Sequence, residues 1–345
     1  MNAVTARNIQ LFSGRLRPNP GIPEDWSELK KARAREIHAD VESAFPGLLG
    51  DADPSSDVED HYEDASRISA AYRATGGDLE LKEPGTDSAP WTAAEMARRL
   101  GSVTIQEQGG HHASDPLAGH PLVVEHGGRG IKVGGLNVAS IEDDVIHWLA
   151  SRHRHHGVKT GIVKAMGHKN GIWAIELDRD PNVIRERLLE TMDWTFIRLE
   201  GVQDAVMAQD VIPMEFEYRL FIVDGQVVSG AGCVEEFTPL DRVEGQPFDT
   251  RVRRVRGHLG QYGPGEVEDR PDVVSRLLDF GRTVAKQYGG TVVIDVAMNA
   301  ATDSPVIVEM NSIPNSGLYA SDPWLVTSAL VWAMDRGYVD LCPAA

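Results

Sequence analysis

Residues 291–317 read TVVIDVAMNAATDSPVIVEMNSIPNSG, two apolar β-type runs around a polar turn, and this stretch decides the fold. Each run carries one acid among valines and isoleucines, Asp295 in the first and Glu309 in the second. With the turn centred on Thr302, Asp295 stands opposite Glu309, and Asn311, two residues further on, shares their face. Like charges paired across a sheet repel, and burying either ion carries a desolvation cost of several kcal/mol. A divalent cation compensates both. Two carboxylates and an amide oxygen suit Mg²⁺ or Mn²⁺ better than zinc. An acid exposed at a strand end, or a proton shared between the two, is the alternative; it leaves the coincidence of three oxygen donors unexplained.

Working upstream, Lys164 lies in a short apolar strand at 161–164, where a side chain seldom buried alone calls for an anionic partner. The adjoining 165–171, AMGHKNG, has the glycines and the Lys169 ammonium of a flap that closes over phosphate oxygens, although a plain hairpin turn has the same composition. The glycine-rich GGRGIKVGG at 127–135 offers Arg129 and Lys132 in a similar setting. Further on, VMAQDVIPMEFEYRLFIVDGQVV contains an apolar stretch at 207–212, interrupted by Gln209 and Asp210 and stopped by Pro213. It reads as a link between subdomains whose backbone can meet a purine edge. Glu217 and Arg219 share a strand face, one suited to hydroxyls and the other to phosphate; an exposed ion pair of little energetic weight is the plainer reading.

In order, the features are Lys164 on a strand, the glycine-bounded flap, and the Gln209, Asp210, Val211 and Ile212 hinge. Glu217-Tyr-Arg219 with its DGQVV hairpin follows, then IDVAMN and VEMNSIPNSG. This order resembles the ATP-grasp superfamily, in particular its carboxylate–amine ligases, over about residues 120–335. The resemblance implies an α+β protein in which two α+β subdomains clasp a nucleotide. It implies Lys132, Lys164 and Lys169 at the phosphates, Gln209 to Ile212 beside the base, and Glu217 on the ribose. Asp295, Glu309 and Asn311 would hold Mg²⁺ against the phosphates. It further implies an ATP-dependent ligase that joins a carboxylate to an amine through an acyl phosphate, with Arg219 and Lys169 as its catalytic cations. A small-molecule phosphotransferase and a non-catalytic nucleotide-binding assembly protein are the alternatives. The chain departs from the D-alanine ligase pattern at Val293, where that pattern has arginine. Arg219, or one of Arg251, Arg253, Arg254 and Arg256, would then serve the transferring phosphate.

Around this core, residues 1–115 form a divergent N-terminal region, 116–206 the first subdomain and 207–340 the second, with the metal site. A helix is expected over about 25–45 and a solvated loop over 50–64, where seven of the fourteen residues from Asp51 to Asp64 are acidic. Thr92 and Glu95 form a capping box, and 121–124 reads as a strand. Helices are expected from Asp143, Pro181, Pro271 and Pro323. The histidines at 147–156 belong to a helix end rather than to a metal, and Cys233 reads as a small buried residue.

The 345 residues carry 34 Lys and Arg against 52 Asp and Glu, a formal charge of −18, which disfavours nucleic acids and anionic membranes as partners. Within that field, 126–172 has seven basic residues against three acidic, and 250–258 has four arginines and no acid, so a triphosphate is not excluded. Two cysteines without metal spacing, no signal peptide and no apolar span point to a reducing cytoplasm. The expected partners are therefore ATP, a carboxylate substrate and an amine substrate, with a homo-oligomer left open.

Overall fold

The computed structural model describes residues 18–77, 117, 120–136, 143–165, 172–191, 205–255, 265–311, 313 and 316–335. The chain divides into two units: Met1–Gly109, Met214–Met298 and Met310–Ala345 form one, and Gly110–Pro213 with Asn299–Glu309 form the other.

The first unit opens with two helices, α1 (Glu28–Ala44) and α2 (Val58–Ala74). The acidic loop expected over 50–64 is, from Val58 onward, the start of α2. Asp57 caps it by accepting from the Asp60 N–H at 2.8 Å, and Glu59 and Asp60 sit in the first turn, where the helix dipole favours anions. The acids that looked like a solvated run are thus N-terminal helix chemistry. Tyr62, Ala65 and Ile68 pack beneath them against Ala34, Ile37 and Val41 of α1.

The strands of this unit include β5 (Met214–Val223), β6 (Gln226–Gly232) and the short pair β7 (Arg251–Arg253) and β8 (Val267–Asp269). β9 (Val292–Asn299) and β10 (Ser304–Asn311) complete a four-stranded sheet ordered β10-β9-β5-β6. Asp224 and Gly225 turn β5 into β6 with φ of 50° and 68°, the two positive values that a tight primed hairpin turn demands.

Helix α6 (Pro271–Tyr288) covers one face of this sheet. A Cβ at its Gly281 would lie 2.2 Å from Leu220 Cδ1, so only glycine permits this approach. Helix α7 (Pro323–Asp335) covers the other face, where Phe221, Val293, Leu318 and Val326 form one apolar cluster. Strand alternation places Glu217, Arg219 and Asp295 on the α7 side.

In the second unit, β1 (Ile131–Gly135), β2 (Thr160–Ala165), β3 (Ile172–Glu176) and β4 (Ala205–Asp210) form an antiparallel sheet ordered β1-β4-β2-β3. Helices α4 (Asp144–His156) and α5 (Pro181–Thr191) cover one face, burying Ile146, Leu149, Ile184 and Leu188 against Val163, Val206 and Ala208. Asp143 caps α4 through bonds from the Val145 and Ile146 N–H groups, and Gly157 ends it at φ 68°. The strand expected at 121–124 is instead a short helix, α3 (Pro121–His126). Proline fits its first turn and His120 Nδ1 accepts the Leu122 N–H, whereas a four-residue apolar run does not by itself distinguish the two states. Thr92 and Glu95 lie outside the described residues.

Candidate functional site

On β5 and β9 of the first unit, Arg219 and Asp295 form a buried bidentate pair. Nε donates to Oδ1 at 2.8 Å and Nη2 to Oδ2 at 2.6 Å, with Asp295 wholly inaccessible. Burial opposes the charge on Arg219, but the Asp295 charge and its hydrogen bonds outweigh that, raising the guanidinium well above its ordinary value. The remaining donor, Nη1, reaches the Gly317 carbonyl at 3.0 Å, and the Tyr319 ring lies 5.0 Å from the guanidinium carbon. The acid that needed a compensating charge thus has one from the neighbouring strand. Val293, where an arginine was missed, is buried with Phe221. The sequence named Arg219 but did not foresee its partner, because nothing in the local pattern states that β5 and β9 are neighbours.

Glu217, Cys233 and Asp295 converge as well, each offering an oxygen or sulfur within 4.8 Å of the others. The β5–β6 pairing brings this about: it sets Arg219 opposite Ala231, and the Cys233 N–H donates to the Glu217 carbonyl at 3.0 Å. A cysteine at this position was invisible until that register was known.

The arginines of 251–254 have protein partners. Arg251 pairs with Asp249 at 2.5 Å, Arg253 with Glu235 and Glu236, and Arg254 with Glu215 at 3.1 Å. Arg256 lies outside the described residues.

In the second unit the register decides which side chains share a face. Lys164 is opposite Met207 on β4, whose other neighbour is Val133, while Gln209 is opposite both Ile131 and Ile162. Lys164 and Gln209 therefore project from the face that α4 and α5 leave uncovered. Lys132 is opposite Ala208, which also pairs with the buried Val163, so it belongs to the helix-covered face. The structure does not bring Lys132 and Lys164 together on this sheet.

Lys164 Nζ donates to Glu309 in a short ion pair. Gln209 Oε1 accepts from Arg129 Nε at 2.8 Å, and Arg129 also donates to the carbonyls of Gly127, Ile307 and Val308, each at 2.8 Å. Burial lowers this guanidinium to about 10, against the pull of Glu309 and Asp210. The GGRG segment is thus a clamp around an arginine rather than an open phosphate loop.

Both Asp210 oxygens are engaged by Arg152 of α4, at 3.1 and 2.6 Å, and one also accepts the Gly130 N–H. The Asp210 and Val211 N–H groups bond to the carbonyls of Gly130 and Thr160. Val211 is exposed and Ile212 half-buried. Asn311 ends β10 and is half-buried. Lys169 and its flap at 166–171 lie outside the described residues.

Two residues that the sequence reading passed over border the first unit's site. Glu63 of α2 accepts the N–H groups of Leu318 and Tyr319, at 2.6 and 3.2 Å, and Arg67 one turn on donates to the Ser316 carbonyl. Their four-residue spacing was a signal, usable only once 58–74 is recognised as helix.

By sequence, residues 158–329, half of the chain, match a family model of the ATP-grasp domain, the second family of its clade. A search of curated proteins gives no significant match. Among solved structures, the chain is similar to the D-alanine-D-alanine ligase from Coxiella burnetii, at 11% identity and a TM-score of 0.36, covering 61% of this chain and 53% of that one. It is similar to a RimK domain protein ATP-grasp from Sphaerobacter thermophilus, at 15% identity and a TM-score of 0.40, covering 78% and 95%. A third similarity is to Cdc123 from Schizosaccharomyces pombe, at 10% identity and a TM-score of 0.33, covering 55% and 79%. The chain thus spans about half the length of the first of these. Among the described residues no helix is long and apolar enough to cross a membrane. The matched domain, with its two mixed α+β units, identifies the chain as a member of the ATP-grasp superfamily.

Proposed function

We propose that this protein is an ATP-dependent ligase that activates a carboxylate as an acyl phosphate and transfers it to an amine. The observation that carries the reading is the pairing of each hairpin acid with a cation of its own unit: Asp295 with Arg219, and Glu309 with Lys164. Both cations are thereby held where the hairpin acids are, and both remain charged groups suited to phosphate oxygens.

The donor set fits Mg²⁺: carboxylates from Asp295 and Glu309 and the amide oxygen of Asn311 are hard oxygen ligands, and the wholly buried Asp295 is a charge that a cation stabilises. When bound, the metal supplies charge neutralisation at the phosphates. The chain's own residues do the rest. Lys164 and Arg219 orient and neutralise the transferring phosphoryl group. Glu217 accepts from ribose hydroxyls, and the backbone around Val211 and Ile212 meets the base, with Lys169 in the flap as a further phosphate ligand. The work is positioning, which can supply about 7–11 kcal/mol of a barrier.

Incubation of the full chain with ATP, Mg²⁺, a panel of carboxylates and hydroxylamine tests this. Hydroxamate formation, lost in Lys164→Met, is the expected result. A stable phosphorylated product would instead make the protein a phosphotransferase, and nucleotide binding without turnover would make it an assembly protein; either outcome overturns the proposal.

A further inference from the structure

The loop at 316–319 is gripped from two sides. On one, a single oxygen of Glu63 accepts two consecutive N–H groups, from Leu318 and Tyr319, while Arg67 takes the Ser316 carbonyl. On the other, the Gly317 carbonyl accepts from Arg219 Nη1, and the Tyr319 ring lies against the same guanidinium. The grip is tight enough to exclude a side chain between the two. A Cβ at Gly317 would stand 3.1 Å from Glu63 Oε1 and 3.5 Å from Arg219 Nη1.

It also sustains an unfavourable backbone. Tyr319 has φ of 48°, a left-handed conformation in which a Cβ crowds the following carbonyl and which persists only where the surroundings over-determine it. Two N–H groups converging on one carboxylate oxygen, with Ser316 and Leu318 almost wholly buried, provide that determination. Glu63 and Arg67 face the loop together because they are one helical turn apart.

We propose that Glu63 and Arg67 of α2 are positioning residues for Arg219: they fix the loop, and the loop fixes the guanidinium that Asp295 engages. The N-terminal helical pair is then part of the catalytic apparatus rather than an appendage. This inference rests on the function proposed above, in which Arg219 is a catalytic cation. A staple that served stability alone would hold the loop without governing Arg219.

The test compares Glu63→Ala, Glu63→Gln and Arg67→Ala in the full chain by two readouts. The first is kcat and KM for Mg·ATP in the hydroxamate assay; the second is NMR hydrogen exchange of the Arg219 Nε–H, which requires no activity. Glu63→Ala and Arg67→Ala should each lower kcat about 10- to 100-fold with KM for Mg·ATP within about twofold, and speed Nε–H exchange at least about tenfold. Glu63→Gln, which keeps the accepting oxygen, should restore both readouts to within about threefold of wild type. A lower melting temperature with kcat and Nε–H exchange unchanged would overturn the proposal, as would a glutamine that rescues neither. If the wild-type chain turns over no ATP, the ligase reading fails, and the exchange comparison alone decides whether α2 positions Arg219. Should Glu63→Ala not fold, Glu63→Asp takes its place, being one methylene too short to reach both N–H groups; it should resemble the alanine prediction, and wild-type values would refute it.

Discussion

Replacing Arg219 by methionine strands a carboxylate. Asp295 is wholly inaccessible, and Arg219 supplies both of the side-chain hydrogen bonds seen on it, at 2.8 and 2.6 Å. Removing one partner of such a buried pair costs about 3–5 kcal/mol, most of it the penalty of a buried charge left alone rather than the net worth of the pair. For a cooperative unit of this size, about 2–4 °C of melting temperature accompanies each kcal/mol, so Arg219→Met should melt about 6–20 °C below wild type.

The double variant Arg219→Met/Asp295→Asn removes the charge and leaves only an unsatisfied amide, worth about 1–3 kcal/mol. It should therefore be more stable than the single variant by about 2 kcal/mol. Urea unfolding followed by circular dichroism measures both, with the slope of the transition checked for constancy. A single variant that loses less than about 1 kcal/mol, or a double variant no more stable than the single, would refute the claim that Arg219 is what makes the burial of Asp295 tolerable.

Burial, with the nearby charge of His61, lowers His38 to about 4 from its ordinary 6.5. A histidine depressed in the folded state takes up protons on unfolding. Its contribution is present above pH ~6.5 and is lost as pH falls toward about 4, amounting to about 1–2 kcal/mol after discounting for partial exposure. His38→Phe should flatten stability over that window, and an unchanged slope would show that another group sets it. Asp210 serves the fold through Arg152 and Gly130. Asp210→Ala should therefore cost about 1–3 kcal/mol in denaturant while leaving the preference for ATP over GTP unaltered, and a changed preference would place its side chain at the base.

The sequence made the elements that matter readable where periodicity was long or chemistry unusual. The α6 pattern from Val273 to Ala285, the Asp224-Gly225 turn and the acid-bearing strands β9 and β10 stand as expected, and the family follows from their order. The short apolar run at 121–124 was misread because length, not pattern, separates a strand from a one-turn helix. The acids of α2 were misread because cap and first-turn residues look like solvated charge when the buried Tyr62 and Ala65 beneath them are not weighed. At the site, residue identities were legible and partnerships were not. Arg219–Asp295 and Lys164–Glu309 join residues 76 and 145 positions apart, and only the folded backbone brings such distant positions together. The separation of Lys132 from Lys164 likewise follows from the pairing of β1 with β4, since a shift of one residue would have reversed it.

The Arg129 clamp has a consequence for solubility. β10 is the outermost strand of its sheet, and an outermost strand offers unpaired backbone groups on which another chain can build. One guanidinium takes the consecutive carbonyls of Ile307 and Val308, in the most apolar part of that strand, and is itself anchored to Gly127 and Gln209. A lysine there would bring a single flexible ammonium in place of a planar fork. The residue that looked like a phosphate ligand is thus a guard against self-association, and it protects the strand that carries Glu309.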